Sequence, residues 1–172
     1  RRSTRNPMEI ITVDSPKAGL LRRRSQPVRV VTPDVRALMD QMFEMLREAH
    51  GLGLAAPQIG VRRRVFVAKI EDRLIALADP EILHQEGEVV ATEACLSIPG
   101  LLGDVPRAQR VTVRGRNRRN RFVTIEAAGL LARVLQHEID HLNGILFTER
   151  VRDPKTLRRV DETADMAPTE AS

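Results

Sequence analysis

The stretch Gln136-His137-Glu138-Ile139-Asp140-His141-Leu142-Asn143-Gly144 contains H-E-x-x-H, a spacing that already implies chemistry. Side chains four apart on a helix lie one above the other, so His137 and His141 can point at one metal ion. Glu138 projects about 100° round the helix from His137, within reach of a water on that metal without being a ligand. Two histidines on a solvated helix would carry little meaning, but the flanks here are apolar. Leu130, Leu131, Val134 and Leu135 precede the pattern and Leu142 follows its second histidine. That run predicts a buried, central helix, stopped by Asn143 and Gly144.

A catalytic site of this type needs a third protein ligand and an open position for water. Two residues are candidates. Cys95, within Glu93-Ala94-Cys95-Leu96-Ser97-Ile98-Pro99-Gly100, is the only cysteine. It sits among small and apolar residues, where a thiolate without a metal would be costly. Glu162 follows His141 by 21 residues, close to where thermolysin-like proteases carry a glutamate, but it lies in a polar, tail-like stretch. A single cysteine also excludes an internal disulfide and fits a reducing compartment.

The 172 residues, 42% hydrophobic and 30% charged, describe one ordinary globular domain with a sizeable core. No apolar run approaches the roughly 18 to 20 residues of a membrane span, and no secretory signal is expected, since the first residues lack an apolar core segment. The net charge of +5 comes almost wholly from arginine, clustered at 22–24, 62–64 and 114–121. Such clusters could contact nucleic acid. With no Trp or Tyr and only four Phe, no platform for stacking single strands is visible, and a solvated basic surface is the favoured reading.

The elements that must position these groups follow in order. Residues 1–8 are expected as a flexible basic extension, with 9–151 forming the catalytic domain. Glu9 to Val13 reads as a short strand and Asp14 to Pro27 as a surface loop. Thr32-Pro33-Asp34 is a helix start. Val35, Leu38, Met39, Met42, Phe43 and Leu46 continue it at helical spacing to about Ala49. Gly51 to Gly60 is a glycine-rich stretch that follows a helix and precedes a strand, the reverse of a phosphate-binding loop. Val65 to Ile70 and Leu74 to Ala78 read as a hairpin ended by Asp79-Pro80, with Glu81 to Val90 as another extended segment. Arg110 to Gly115 and Arg121 to Ala127 read as a second hairpin. A short helix from Asp153 to about Ala164 and a polar tail fill residues 152–172. The expected class is α+β, with antiparallel sheets packed round the central buried helix that carries H-E-x-x-H.

Three stretches together resemble the peptide deformylases. Gly-x-Gly-x-Ala-Ala-x-Gln is matched by Gly51 to Gln58. Glu-Gly-Cys-Leu-Ser is matched by Glu93 to Ser97 except at Ala94, and Gln-His-Glu-x-Asp-His-Leu-x-Gly by Gln136 to Gly144. The resemblance implies a monomeric enzyme of the bacterial cytoplasm, rather than of an organelle, that removes the formyl group from the N-terminal formyl-methionine of nascent polypeptides. It implies one divalent ion on Cys95, His137 and His141, natively Fe²⁺, with Zn²⁺, Ni²⁺ or Co²⁺ as other occupants. Glu138 would carry the proton, and the Gln58 amide with the Leu96 N–H would hold the oxyanion. The substrate would pair as an added strand with Leu52 and Gly53, its methionine entering a pocket for which Leu130, Val134 and Leu96 are candidates. Partners would be formyl-methionyl peptides and the ribosome near its exit tunnel, with no membrane and no specific nucleic-acid sequence.

Further expectations concern the supporting residues. Glu93 and Arg107 are expected as an ion pair, and Arg133, where an apolar residue would complete the pocket wall, as a side chain reaching the pocket mouth. Two other functions remain open on the residues alone. One is an H-E-x-x-H metalloprotease with Glu162 as third ligand. The other is a non-catalytic, metal-containing module that binds ribosome or RNA.

Overall fold

A computed structural model of the protein describes residues 8–160. Thr32 caps helix α1, Pro33–Ala49, its hydroxyl accepting the Val35 N–H at 3.4 Å. Proline at the first position loses only an N–H that would have had no helical partner. Val35, Met39, Met42 and Leu46 form the buried face, and His50 ends the helix in the left-handed region at φ 56°. After it come strands β1 (Gly53–Ala55), β2 (Val65–Ile70), β3 (Arg73–Glu86), β4 (Val89–Cys95), β5 (Ile98–Arg107), β6 (Arg110–Arg116) and β7 (Phe122–Ala128). Helix α2, Gly129–Leu142, and the short strand β8, Arg158–Arg159, complete the set. A five-stranded sheet runs β1-β2-β3-β6-β7 and a three-stranded sheet β4-β5-β8, every pairing antiparallel. The expected α+β class is what forms.

The larger sheet is covered on both faces, and β2 shows why its sequence is continuously apolar. Val65 and Val67 turn toward the α1 side, packing with Met39, Met42 and Leu46. Phe66 and Ala68 turn the other way, into the core shared with Ala132, Leu135, Ile139 and Leu142 of α2. Alternation along a strand puts successive side chains on opposite faces, so both sets can be buried at once. A third cluster, with Cys95, Ile98, Val105, Leu146 and Phe147, joins the smaller sheet to the segment after α2.

Helix α2 is therefore enclosed, with every residue from Ala132 to Leu142 buried. Its end is built from distant chain. Arg64, read as part of a solvated basic cluster, is buried and donates to the Leu142 carbonyl at 2.9 Å and to Asn143 Oδ1 at 3.0 Å. That satisfies a carbonyl the helix itself leaves open. Gly144 turns at φ 76°, and a Cβ there would lie 2.7 Å from the backbone of Arg22.

Three local expectations are corrected. Glu9 to Val13 is not in a strand; the Ile11 N–H donates to the Gln58 carbonyl at 2.7 Å, and Val13, at the start of a turn, donates its N–H to the Ser97 carbonyl at 2.9 Å. Asp79-Pro80 does not end its strand. Asp79 takes φ 51°, the pairing with β6 shifts register between Ala78 and Glu81, and β3 continues to Glu86. The Asp79 carboxylate anchors the bulge by accepting the Val28 and Arg29 N–H groups at 2.8 and 2.7 Å. In place of a helix starting at Asp153, the chain makes a 3-10 turn at Pro154–Thr156 and then β8, whose Arg158 and Arg159 pair with Leu102 and Leu101. The remainder of that expected helix, Glu162, and residues 1–7 of the expected extension lie outside the described residues.

Candidate metal centre

Cys95 is the last residue of β4 and pairs with Ile98 across the two-residue turn Leu96-Ser97. This turn points the sulfur inward, where it is 4% exposed. Helix α2 presents His137 and His141 one turn apart. The two Nε2 atoms are 3.2 Å apart, Cys95 Sγ is 3.4 Å from His141 Nε2, and the three donor atoms all lie within 4.8 Å of one another. A tetrahedral site with bonds of about 2.0–2.3 Å separates its donors by roughly 3.3–3.8 Å, so these side chains are already gathered at ligand spacing. Burial pushes the Cys95 thiol above its ordinary pKa. Backbone N–H groups of Ser97 and Ile98 lower it only in part, and the nearby Glu138 and Glu93 charges raise it again. A thiolate here needs a positive charge beside it, which a divalent cation supplies. The donor set fits a metal, and the three residues form a divalent-metal-binding triad.

The orientation of His137 is held from behind. Its Nδ1 is 2.8 Å from Glu93 Oε1, which leaves Nε2 facing the triad. Glu93 is fully buried and receives Arg107 through two bonds, Nε to Oε2 at 2.9 Å and Nη2 to Oε1 at 3.0 Å. The expected ion pair is thus present, but as one part of a larger network. Arg107 also reaches Asp140, which Arg150 clasps from the outer side at 3.0 and 3.2 Å. Burial alone would raise the Glu93 carboxyl, yet hydrogen bonds from His137 and Arg107 outweigh it and hold the group far below the usual carboxylate range.

Arg133 overturns its expectation. It does not reach a pocket mouth; it is 5% exposed and donates to Glu93 Oε2 at 2.6 Å, the Val105 carbonyl at 2.9 Å and the Val89 carbonyl at 2.7 Å. Its charge is taken up by a buried carboxylate and two strand carbonyls. Replacing Glu93 by Gln leaves two buried guanidinium groups facing a neutral amide. Breaking a buried pair in this way typically costs about 3–5 kcal/mol, and loss of such a partner weakens metal binding about 10- to 100-fold. Urea unfolding and chelator competition of Glu93→Gln should show both losses; unchanged values would make the network dispensable.

The first motif closes the site from the opposite side. Gln58 is fully buried, its Oε1 accepting the Ala55 N–H at 2.9 Å. Its Nε2 donates to Ser97 Oγ at 3.1 Å and lies 3.8 Å from Cys95 Sγ. Glu138, also fully buried, lies against Gly53 of β1. Leu96 is half-buried, its side chain packed where a Gly51 side chain would be. Cys95, His137, His141, Gln58, Glu138 and Gly53 are therefore brought together. Of the proposed pocket residues, Leu52 is half-buried and packs on the core that holds Val134, which is fully buried there. Leu130 is 39% exposed on the first turn of α2. The roles of Ser97, Asp140 and Arg150 were not read from sequence. Asp140 alone offered a signal, an acid on a helix expected to be buried, which had to find a partner.

The family model described as polypeptide deformylase matches residues 7–157. The chain belongs to the peptide deformylase family. A peptide deformylase of Thermomicrobium roseum is 46% identical over 171 residues, spanning 92% of this chain and 96% of the relative. Among solved structures, the peptide deformylase of Thermus thermophilus superposes with a TM-score of 0.79 at 45% identity, covering 86% of this chain and 87% of that one. That of Synechococcus elongatus, in complex with actinonin, gives 0.82 at 33% identity, covering 91% and 85%. In this deformylase fold, the triad of a metal-dependent hydrolase falls on Cys95 and the two histidines of α2.

Proposed function

We propose that this protein removes the formyl group from the N-terminal formyl-methionine of newly made polypeptides and releases formate. The observation that carries the reading is the gathering of Cys95, His137 and His141 within 4.8 Å, walled by Gln58 and Glu138. These three residues would hold a divalent cation, and the ion we propose is Fe²⁺, one of several first-row ions that a thiolate and two imidazoles accept. When bound, it supplies Lewis-acid chemistry, polarising a carbonyl and acidifying water.

The chain's own residues do the rest. Among the described residues β1 is an edge strand, paired with β2 alone, so a formyl-peptide can lie along Leu52-Gly53 as an added strand. The Leu96 and Leu52 side chains flank that path, with Leu130 and Val134 as further candidates for the methionine pocket. Glu138 takes the proton as water oxygen bonds to the formyl carbon, and returns it to the amine nitrogen as the carbon–nitrogen bond breaks. The Gln58 Nε2 and the Leu96 N–H hold the developing oxyanion. No described helix is long and apolar enough to cross a membrane. We place the reaction in the bacterial cytoplasm, on a monomer that meets its substrates at the ribosome, a reading supported by the bacterial relatives.

Formate release from formyl-Met-Ala-Ser by metal-replete protein tests this function directly; no release would sink it. Metal analysis after anaerobic purification tests the choice of ion. Gln58→Leu should lower turnover by about 10²- to 10³-fold and leave metal content unchanged, because the oxyanion donor it removes is not one of the three ligands. A Gln58→Leu protein that loses its metal would make Gln58 a structural support of Cys95 instead.

A further inference from the structure

The expected reason for glycine at position 53 was the approach of a substrate backbone. A different group occupies the space of its missing side chain. A Cβ built on Gly53 would lie 2.6 Å from Glu138 Oε2, 2.9 Å from Cδ and 3.0 Å from Cγ. Those three atoms span the carboxylate end of one side chain, so the end of Glu138 fills the space a Gly53 side chain would take. Gly53 is not among the glycines with positive φ, so its backbone would accept alanine. The three atoms nearest to such a side chain all belong to Glu138.

Neither partner can withdraw easily. β1 is pinned by its pairing Gly53↔Ala68 and Leu54↔Val67, and by the Lys69 N–H donating to the Leu52 carbonyl at 2.8 Å. Glu138 springs from the enclosed part of α2 and is itself 0% exposed, so its side chain has packed neighbours around it. Gly51, two residues earlier, differs: a Cβ there would meet methyl ends of Leu96 and Leu46 at 3.0 and 3.1 Å, and such ends can move.

We infer that Gly53 is a positioning residue, which by lacking a side chain seats the Glu138 carboxylate where it transfers the proton. This rests on the role proposed above for Glu138. A carboxylate moved by even part of a bond length no longer meets the water and the leaving amine in line. The glycine of the first motif and the glutamate of the third then form one unit.

The test compares Gly53→Ala, Glu138→Ala and the double variant, each checked for metal content, together with Gly53→Ala in a Glu138→Gln background. Gly53→Ala is expected to keep its metal and lose about 10²-fold or more in kcat. Its Tm should fall by several degrees, yet the same change should leave Tm unmoved in Glu138→Ala, where the opposing atoms are gone. Formyl-Met-Ala-Ser should bind Glu138→Gln with the same Kd whether residue 53 is Gly or Ala. Equal Tm losses in both backgrounds, or weakened peptide binding with kcat retained, would return Gly53 to the substrate-approach role and overturn the inference. If Gly53→Ala does not fold, recovery in the double variant supports the seat and failure of the double variant rejects it. A wild-type protein that releases no formate brings down the proposed function, while the unfolding cycle still decides whether Gly53 seats Glu138.

Discussion

Cys95→Ala is expected to give a protein that no longer holds its metal and has no measurable deformylase activity. Two imidazoles remain, but the charged donor is gone, and with it the partner that balances a divalent cation in a buried site. Burial holds this thiol well above its ordinary pKa, so the thiolate exists there because of the cation and the two are lost together. Cys95→Ser should be nearly as damaging, since a neutral hydroxyl is a far poorer ligand. Metal content after dialysis and formate release are the two measurements. Glu162→Ala serves as the contrast: on this reading it keeps both metal and turnover. Metal kept by Cys95→Ala and lost by Glu162→Ala would hand the third position to the glutamate of the protease reading.

Glu138→Gln should do the reverse, retaining the metal while turnover falls by about 10²- to 10⁴-fold, the usual worth of a general base. The amide has the same shape as the carboxylate, so it can occupy the seat against Gly53 and leaves the donors of His137 and His141 alone. What it cannot do is take a proton from water. Single-turnover formate release by metal-loaded variant and wild type measures the difference, and near-normal turnover would remove Glu138 from proton transfer. The pair of variants separates holding the metal from using it.

The metal triad was within reach of the sequence because its information is local. The four-residue step from His137 to His141 set one helix face, and an apolar flank set its burial, without reference to the rest of the chain. Cys95 stood out by being the only cysteine. Helix α1 was legible for the same reason, since its capping Thr32, Pro33 and the Val35-to-Leu46 period all lie within one segment. The strand ended too early at Asp79-Pro80 shows the limit. Those two residues do break a regular strand, but β6 supplies a partner that takes the pairing up again past the bulge.

The sequence by itself picked out the residues that gather into the metal triad, because their types and spacings are properties of single segments. Only the tertiary structure decided what Arg133 and Arg64 are for. They are alike as letters, and nothing in their neighbours tells a solvated arginine from a buried one. Folding places Arg133 and Arg107 on Glu93 and Arg64 on the end of α2. A buried charge must find its counter-charge or acceptor wherever the fold brings one, and here those partners come from other strands and helices. The same holds for the empty side of Gly53, whose occupant, Glu138, arrives from a helix about half the chain away.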